Sequence, residues 1–201
     1  MKILSRLLGL LIRYRCYRVY ERDVSGSMPQ FAPPTGVSVR TGIPADIDRL
    51  TEQDLGYDSL KRDMAAQRLK DGNRFVLAEM DDRVVSILWV SESSIWSPTG
   101  LRDLGAGWAY LSDSSSAGVE GQYDINKSLV RHALDVSREM GMTKGVCFTY
   151  AGDEDGVRIH EELEFVSVGD VRRMRILKSF WCEFSRKGLF EYLASRAAIA
   201  R

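Results

Sequence analysis

The sequence predicts an α/β protein, a central mixed β-sheet flanked by helices. Three observations lead there. Arg74–Met80 and Arg83–Glu92 are rich in β-branched and apolar residues and meet across Asp81-Asp82, a two-residue hairpin turn. From Trp108 onward, strand-like and helix-like segments alternate, which calls for parallel strands joined by helical crossovers. An antiparallel half and an alternating half in one chain give a sheet of mixed direction.

Each element has its own justification. Ile3, Leu4, Leu7, Leu8 and Leu11 fall at helical spacing, with Lys2, Ser5, Arg6 and Gly9 opposite. Arg6 and Arg13 leave an apolar run too short to span a bilayer, and no small-residue cleavage site follows. This helix is expected to dock on its own domain or on a second copy in a homodimer. Contact with an anionic membrane surface is the alternative. Arg13–Arg22 mixes Tyr14, Cys16, Tyr17, Val19 and Tyr20 with arginines and is strand-like. Ser25–Gly36, with Pro29, Pro33 and Pro34, is a linker.

Val37–Arg40 is a short strand, and Pro44 and Asp46 introduce a helix at Ile47–Gln53. A second helix, Ser59–Lys70, carries Leu60, Met64, Ala65 and Leu69 on one side and stops at Asp71-Gly72-Asn73. After the hairpin, Ser91–Gly107 is a polar loop holding Trp96 and Leu101, a length often associated with function. Trp108–Ser116 is a strand. Tyr123–Met140 is a helix with the stripe Ile125, Leu129, Ala133, Val136 and Met140, which leaves His132 exposed. Lys144–Tyr150 is an apolar strand, Glu154–Glu164 a helix, and Phe165–Asp170 and Val171–Leu177 the last two strands. Ser179–Arg201 reads as an amphipathic helical tail. The expected organisation is residues 1–36 as N-terminal helix, strand-like segment and linker, 37–178 as the domain, and 179–201 as the tail.

The formal net charge is zero, but it is unevenly spread. Residues 1–20 carry five basic residues and no acid, and residues 171–201 carry a net charge of +6. Residues 21–170 hold 15 basic and 26 acidic residues. So acidic a body repels polyphosphate, which argues against nucleic acid as a partner and favours a small amine. Cys16, Cys147 and Cys182 lack metal or redox spacing and sit among apolar residues. Reduced thiols, a cytoplasmic location and no metal site are the expectation.

The segment most informative about chemistry joins the Trp108–Ser116 strand to the Tyr123–Met140 helix. A helix N-terminus at the end of a strand gathers unpaired N–H groups and a positive dipole, which suits a pyrophosphate. The loop, from Ser114 to Asn126, carries Glu120 and Asp124 and only two glycines, Gly118 and Gly121. As the expected N-cap, Asp124 would occupy the N–H donors a phosphate needs. A carboxylate ~6 Å from a phosphate charge, at an effective dielectric of ~20, costs about 2–3 kcal/mol.

Two further segments match known patterns. Arg74-Phe75-Val76-Leu77-Ala78-Glu79, followed by Arg83–Val90, is similar to an "F-V-A-E…G-x-I-V-G" hairpin. Gly156–Phe165, containing His160-Glu161, is similar to "S-x-x-x-Y/H-E-K-x-G-F", and Val168-Gly169 matches the "x-V-G" that follows it. On these motifs the chain resembles the GNAT (Gcn5-related) N-acetyltransferases over roughly Val37–Leu177. The resemblance implies the GNAT acyl-CoA N-acyltransferase fold, acetyl-CoA as cosubstrate and direct acyl transfer to a small amine.

The resemblance also implies site residues. Ser116, Gly121, Gln122, Tyr123, Asp124, Ile125 and Asn126 fall on the segment that cradles the pyrophosphate. There the family pattern is Arg/Gln-x-x-Gly-x-Gly/Ala, and Asp124 and Asn126 stand where it has glycines. Asp153 matches an Asn that contacts the cofactor arm, and Gly156 stands where a Ser is usual. His160 matches the acid that protonates the leaving thiolate. Asp113 and Glu92, at strand ends, are the carboxylates nearest to where a base would act. The alternative function is a non-catalytic scaffold of the same fold that has lost cofactor affinity, membrane-peripheral through its basic N-terminal helix.

Overall fold

The computed structural model describes residues 12–50, 55–92, 94–97, 100–103, 106–176 and 180–185. The apolar N-terminal helix expected before Ile12 lies outside them.

The strands are β1 (Ile12–Asp23), β2 (Val37–Thr41), β3 (Arg74–Met80), β4 (Arg83–Glu92), β5 (Ser94–Ser97), β6 (Gly100–Asp103), β7 (Trp108–Ser116), β8 (Lys144–Tyr150), β9 (Val166–Ile176) and β10 (Phe180–Ser185). The helices are α1 (Ser59–Lys70), α2 (Gln122–Glu139) and α3 (Glu154–Glu162), with a 3-10 turn at Pro44–Arg49. Eight strands form one sheet in the order β10-β9-β1-β8-β7-β4-β3-β2, and β5-β6 form a small hairpin. Among the described strands β7 and β8 are the one parallel pair. The expected mixed sheet flanked by helices is therefore present.

The placement of β1 follows from its residues. It runs antiparallel between β8 and β9, with Val19 opposite both Phe148 and Gly169. An interior strand presents side chains to two covered faces. Val19 packs with Trp108, Val146 and Val171 on one face, and Tyr20 joins the main core on the other. Both are fully buried, whereas Tyr14 and Arg15, toward the other end of β1, are exposed. The linker then crosses the α2 face, where Val24 and Met28 enter the core and the Arg131 guanidinium donates to the Pro29 carbonyl.

The two faces carry different layers. On one, α2 buries Ile125, Leu129, Ala133, Leu134 and Val136 against Val76, Ala78, Leu88, Val90 and Leu111, with Ile159 of α3 alongside. On the other, α1 and the 3-10 turn cover Phe75, Leu77, Ile87 and Trp89. Alternation along β3 and β4 sends successive side chains to opposite faces, so one apolar run serves both cores. Arg40 and Arg49 clamp Asp46 and Glu79, tying the turn to β2 and β3. The Arg40 guanidinium holds the buried Asp46 carboxyl down at about 2.

Several expectations are corrected. Phe180–Ser185 is not the start of a helical tail; it pairs antiparallel with β9 and extends the sheet by one strand. Residues 186–201 lie outside the description. The two last strands are one, Val166–Ile176, because Gly169 lets the chain bulge past Val19 and Tyr20 without leaving the sheet. The helix expected at Ile47–Gln53 is a 3-10 turn at Pro44–Arg49. The polar loop after β4 contains the β5-β6 hairpin. His132 is half-buried, with Nε2 3.4 Å from Thr41 Oγ1, because α2 packs across β2 as well as β3 and β4.

Candidate active site

The site starts from a gap in the sheet. β7 and β8 pair only over Trp108–Leu111 and Lys144–Cys147. Beyond that, Ser112–Ser116 and Phe148–Tyr150 continue without pairing to each other, so the strands splay. A β-bulge drives β7 away. Ile87 faces Ser115 and Trp89 faces Ser112, which leaves one extra residue on β7, and Asp113 there adopts φ 50°. An aspartate tolerates that left-handed backbone better than most residues.

On the α2 face of the gap lies the loop from Ala117 to Gly121. Gly121, at φ 73°, is the N-cap of α2 and provides no side-chain bond. The first intrahelical bond runs from the Ile125 N–H to the Gly121 carbonyl, so the N–H groups of Gln122, Tyr123 and Asp124 precede the helical ladder. A Cβ built on Gly118 or Gly121 would meet nothing within 4 Å, so the outer surface of the loop is open. The expectation that Asp124 caps the helix is corrected. The left-handed turn at Gly121 starts the helix at Gln122, which puts Asp124 at the third helical position with an exposed side chain. The donors are left for a ligand, and the carboxylate stands beside them.

Polar side chains brace this junction. Asn126 Oδ1 lies 2.8 Å from Gln122 Nε2, 2.9 Å from Ser86 Oγ and 3.0 Å from Ser116 Oγ. Gln122 Oε1 accepts from the Val119 N–H at 3.3 Å. Asn126 therefore pins the loop, through Gln122, to Ser86 within β4 and to Ser116 at the end of β7. Of the expected cradle residues, Ser116, Gln122 and Asn126 form this brace. Ile125 is buried in the core, and Tyr123 lies under the Arg158 guanidinium, 5.0 Å from the ring centroid.

Asp153 and His160 are turned to structural tasks. Asp153 Oδ1 accepts from the Gly156 N–H at 3.0 Å, capping α3. A Cβ at residue 156 would fall 2.5 Å from Asp153 Oδ2 and 2.9 Å from Thr149 Cγ2, which accounts for glycine there. His160 is buried, stacked on Tyr20 at 5.2 Å and edge-on to Phe165 at 5.0 Å. Its Nδ1–H donates to the Gly156 carbonyl at 2.5 Å, and Thr149 Oγ1 is 3.2 Å away. Burial lowers its pKa, which favours the neutral ring.

On the opposite, α1 face of the same strands is a cleft of about 680 Å³. Glu92 and Asp113 both line it, so the structure brings the two expected carboxylates into one cavity and leaves His160 outside its lining. The floor is Trp89, whose Nε1–H donates to Tyr57 Oη at 3.0 Å. Arg68 of α1 stacks over Trp89 at 5.2 Å and pairs with Asp113 at 2.5 Å. Burial raises the pKa of Tyr57 and of Tyr110, another lining residue, so both phenols are protonated donors at neutral pH.

Sequence reasoning missed Tyr57, Arg68 and Ser86. Ser86 had a visible signal, a lone hydroxyl inside the apolar run Val84–Val90. Arg68 had a weaker one, lying three residues beyond Ala65 on the helix stripe that faces the sheet.

No protein-family model and no curated protein matches the sequence. Solved structures do. A GCN5-related N-acetyltransferase from Sphaerobacter thermophilus superposes with a TM-score of 0.61 at 17% identity, covering 87% of this chain and 56% of its own. A GNAT-family protein from Novosphingobium aromaticivorans gives a TM-score of 0.54 at 15% identity, covering 84% of this chain and 68% of its own. The yncA protein of Salmonella typhimurium, solved with its cofactor acetyl-CoA, gives 0.52 at 14% identity over 67% of this chain and 83% of its own. The chain has the fold of the GNAT acetyltransferases. Among the described residues no helix is long and apolar enough to cross a membrane.

Proposed function

We propose that this chain is an acyl-CoA-dependent N-acyltransferase that acts on a small amine by direct transfer. The observation that carries the reading is a juxtaposition. An uncapped helix N-terminus lies on one face of the splayed β7-β8 pair, and a carboxylate-lined cleft abuts the same strand residues on the other.

The chain's residues fit acetyl-CoA. The N–H groups of Gln122, Tyr123 and Asp124, open at the glycine-bordered loop, would hold the pyrophosphate. Bound acetyl-CoA supplies an activated thioester whose carbonyl carbon accepts the amine nitrogen. The β7 segment beyond Leu111, paired with β4 but not with β8, offers backbone groups on its β8 side to polarise that carbonyl. Glu92 lines the cleft at the end of β4 and is the base that takes the amine proton, directly or through water. Asp113 is less suited, because its carboxylate is committed to Arg68. His160, neutral and bonded to its own helix, holds Tyr20 and Phe165 in place rather than delivering a proton.

Asp124 gives a direct test of where the phosphates go. Its carboxylate no longer caps the helix but stands exposed beside the same donors. Water screens an exposed charge more than the interior does. Asp124→Asn is expected to tighten acetyl-CoA binding by roughly 3–10-fold, measured by calorimetry at low salt, with the gain shrinking as salt is added. An unchanged affinity would place the pyrophosphate elsewhere.

A further inference from the structure

The acceptor cleft has two chemically different walls. Lys61, Ala65 and Arg68 line it from α1 at positions i, i+4 and i+7, one stripe of the helix. Glu92 and Asp113 line it from the ends of β4 and the β7 bulge. Between them lies an apolar and aromatic floor of Tyr57, Met64 and Trp89.

Most of the charge is already committed. Asp113 pairs with Arg68, and Asp71 accepts from Gln67 Nε2 at 2.9 Å. Glu92 is left as the lining carboxylate without a protein partner among the described residues. Arg68 is held in place by two contacts, Asp113 at 2.5 Å and the Trp89 ring at 5.2 Å. A guanidinium has five N–H donors, so that pairing leaves several for a ligand, and its planar fork suits a carboxylate. Lys61 stands two helical turns before it on the same stripe, donating to the Gly56 carbonyl and 5.7 Å from the Tyr57 ring centroid.

We propose that the acceptor is an α-amino acid with an apolar side chain, its carboxylate bound by Arg68 with Lys61 beside it and its amine directed to Glu92. This rests on the acyltransfer reading and narrows its amine to a zwitterion. An acceptor with two cations would meet Arg68 and Lys61, and one with two carboxylates would meet Glu92. The apolar body covers Trp89, Tyr57 and Met64. In the reaction Glu92 takes one proton from the ammonium to free the amine, whose nitrogen forms a bond to the acetyl carbon; the C–S bond breaks with its electron pair leaving on the CoA thiolate, and the second proton lost by the nitrogen passes to that thiolate, which leaves as free CoA. Arg68 is the specificity determinant.

The test uses the full chain and two readouts. L-Phenylalanine, L-leucine and their primary amides are titrated into the protein without cofactor, and acetyl transfer to each is then followed by mass spectrometry. At least one free acid is expected to bind and to react roughly 10–100-fold better than its amide, the range for a hydrogen-bonded charge. Arg68→Gln is expected to erase that preference, read as the ratio of kcat/KM for acid over amide within the same variant, and Arg68→Lys to restore part of it. A matching thermal transition for both variants shows that they fold. Equal handling of acid and amide, or a preference that survives Arg68→Gln, would overturn the proposal while leaving acyltransfer intact. Absence of binding by both acids would also overturn it. Acid-selective binding with no transfer to any amine would support the binding assignment and overturn the acyltransfer reading instead.

Discussion

A chain truncated to begin at Val37, the domain boundary that composition alone suggests, is expected not to fold. The loss would remove β1 from between β8 and β9, opening two strand edges in the middle of the sheet and detaching β9 and β10. It would also remove Val19, Tyr20, Val24 and Met28 from the core. Burying an apolar side chain contributes about 1.5–3 kcal/mol each, so four of them approach the whole stability of a typical domain. His160 would lose the ring it stacks on. The expected result is a poorly dispersed amide spectrum, no near-ultraviolet circular dichroism and no cooperative melt. A well-dispersed spectrum with a cooperative transition would show that β1 is dispensable.

The second large effect is expected at Glu92. If its carboxylate takes the amine proton, Glu92→Gln should lower kcat/KM by roughly 10²–10⁴-fold, the usual contribution of a positioned general base. Acetyl-CoA affinity should stay the same, because the pyrophosphate site is on the opposite face of the sheet from the cleft. Asp113→Asn should cost less and act through KM, since it releases Arg68 from its pair but leaves the base in place. Activity within a few-fold of the parent in Glu92→Gln, with Asp113→Asn the inactive variant, would exchange the two roles.

The contrast between what the residues revealed and what they did not has a physical cause. The β3-β4 hairpin and the β7-α2-β8 unit were legible because local signals suffice: alternation, a two-residue turn and a helical apolar stripe. The position of β1 was not. Its apolar and aromatic residues are interrupted by Arg13, Arg15, Arg18 and Arg22, which give it the look of a surface strand. Only pairing with β8 and β9, more than a hundred residues away in sequence, makes it interior. The start of the tail, Phe180–Ser185, is a strand rather than the expected helix for a related reason: Phe180, Trp181 and Phe184 fit a helical stripe as well as a strand alternation.

At the site, the loop was located from sequence but its detail was not. Asp124 looked like the cap because an aspartate before an apolar run usually is one. Gly121 takes that position instead through its left-handed backbone, which a sequence pattern does not distinguish from an ordinary loop glycine. The two carboxylates of the cleft, Glu92 and Asp113, were named from their places at strand ends. The arginine that divides their roles comes from α1, and its partnership with Asp113 spans 45 residues of chain.

The central claim is that the open N–H groups at the start of α2 still bind a CoA pyrophosphate although Asp124 and Asn126 stand where glycines are usual. Calorimetric titration of acetyl-CoA into the unmutated 201-residue chain tests it most directly. The account predicts a one-to-one complex with a dissociation constant in the micromolar range. No heat at millimolar acetyl-CoA would contradict it and leave the chain a scaffold that keeps the acetyltransferase fold without its cosubstrate.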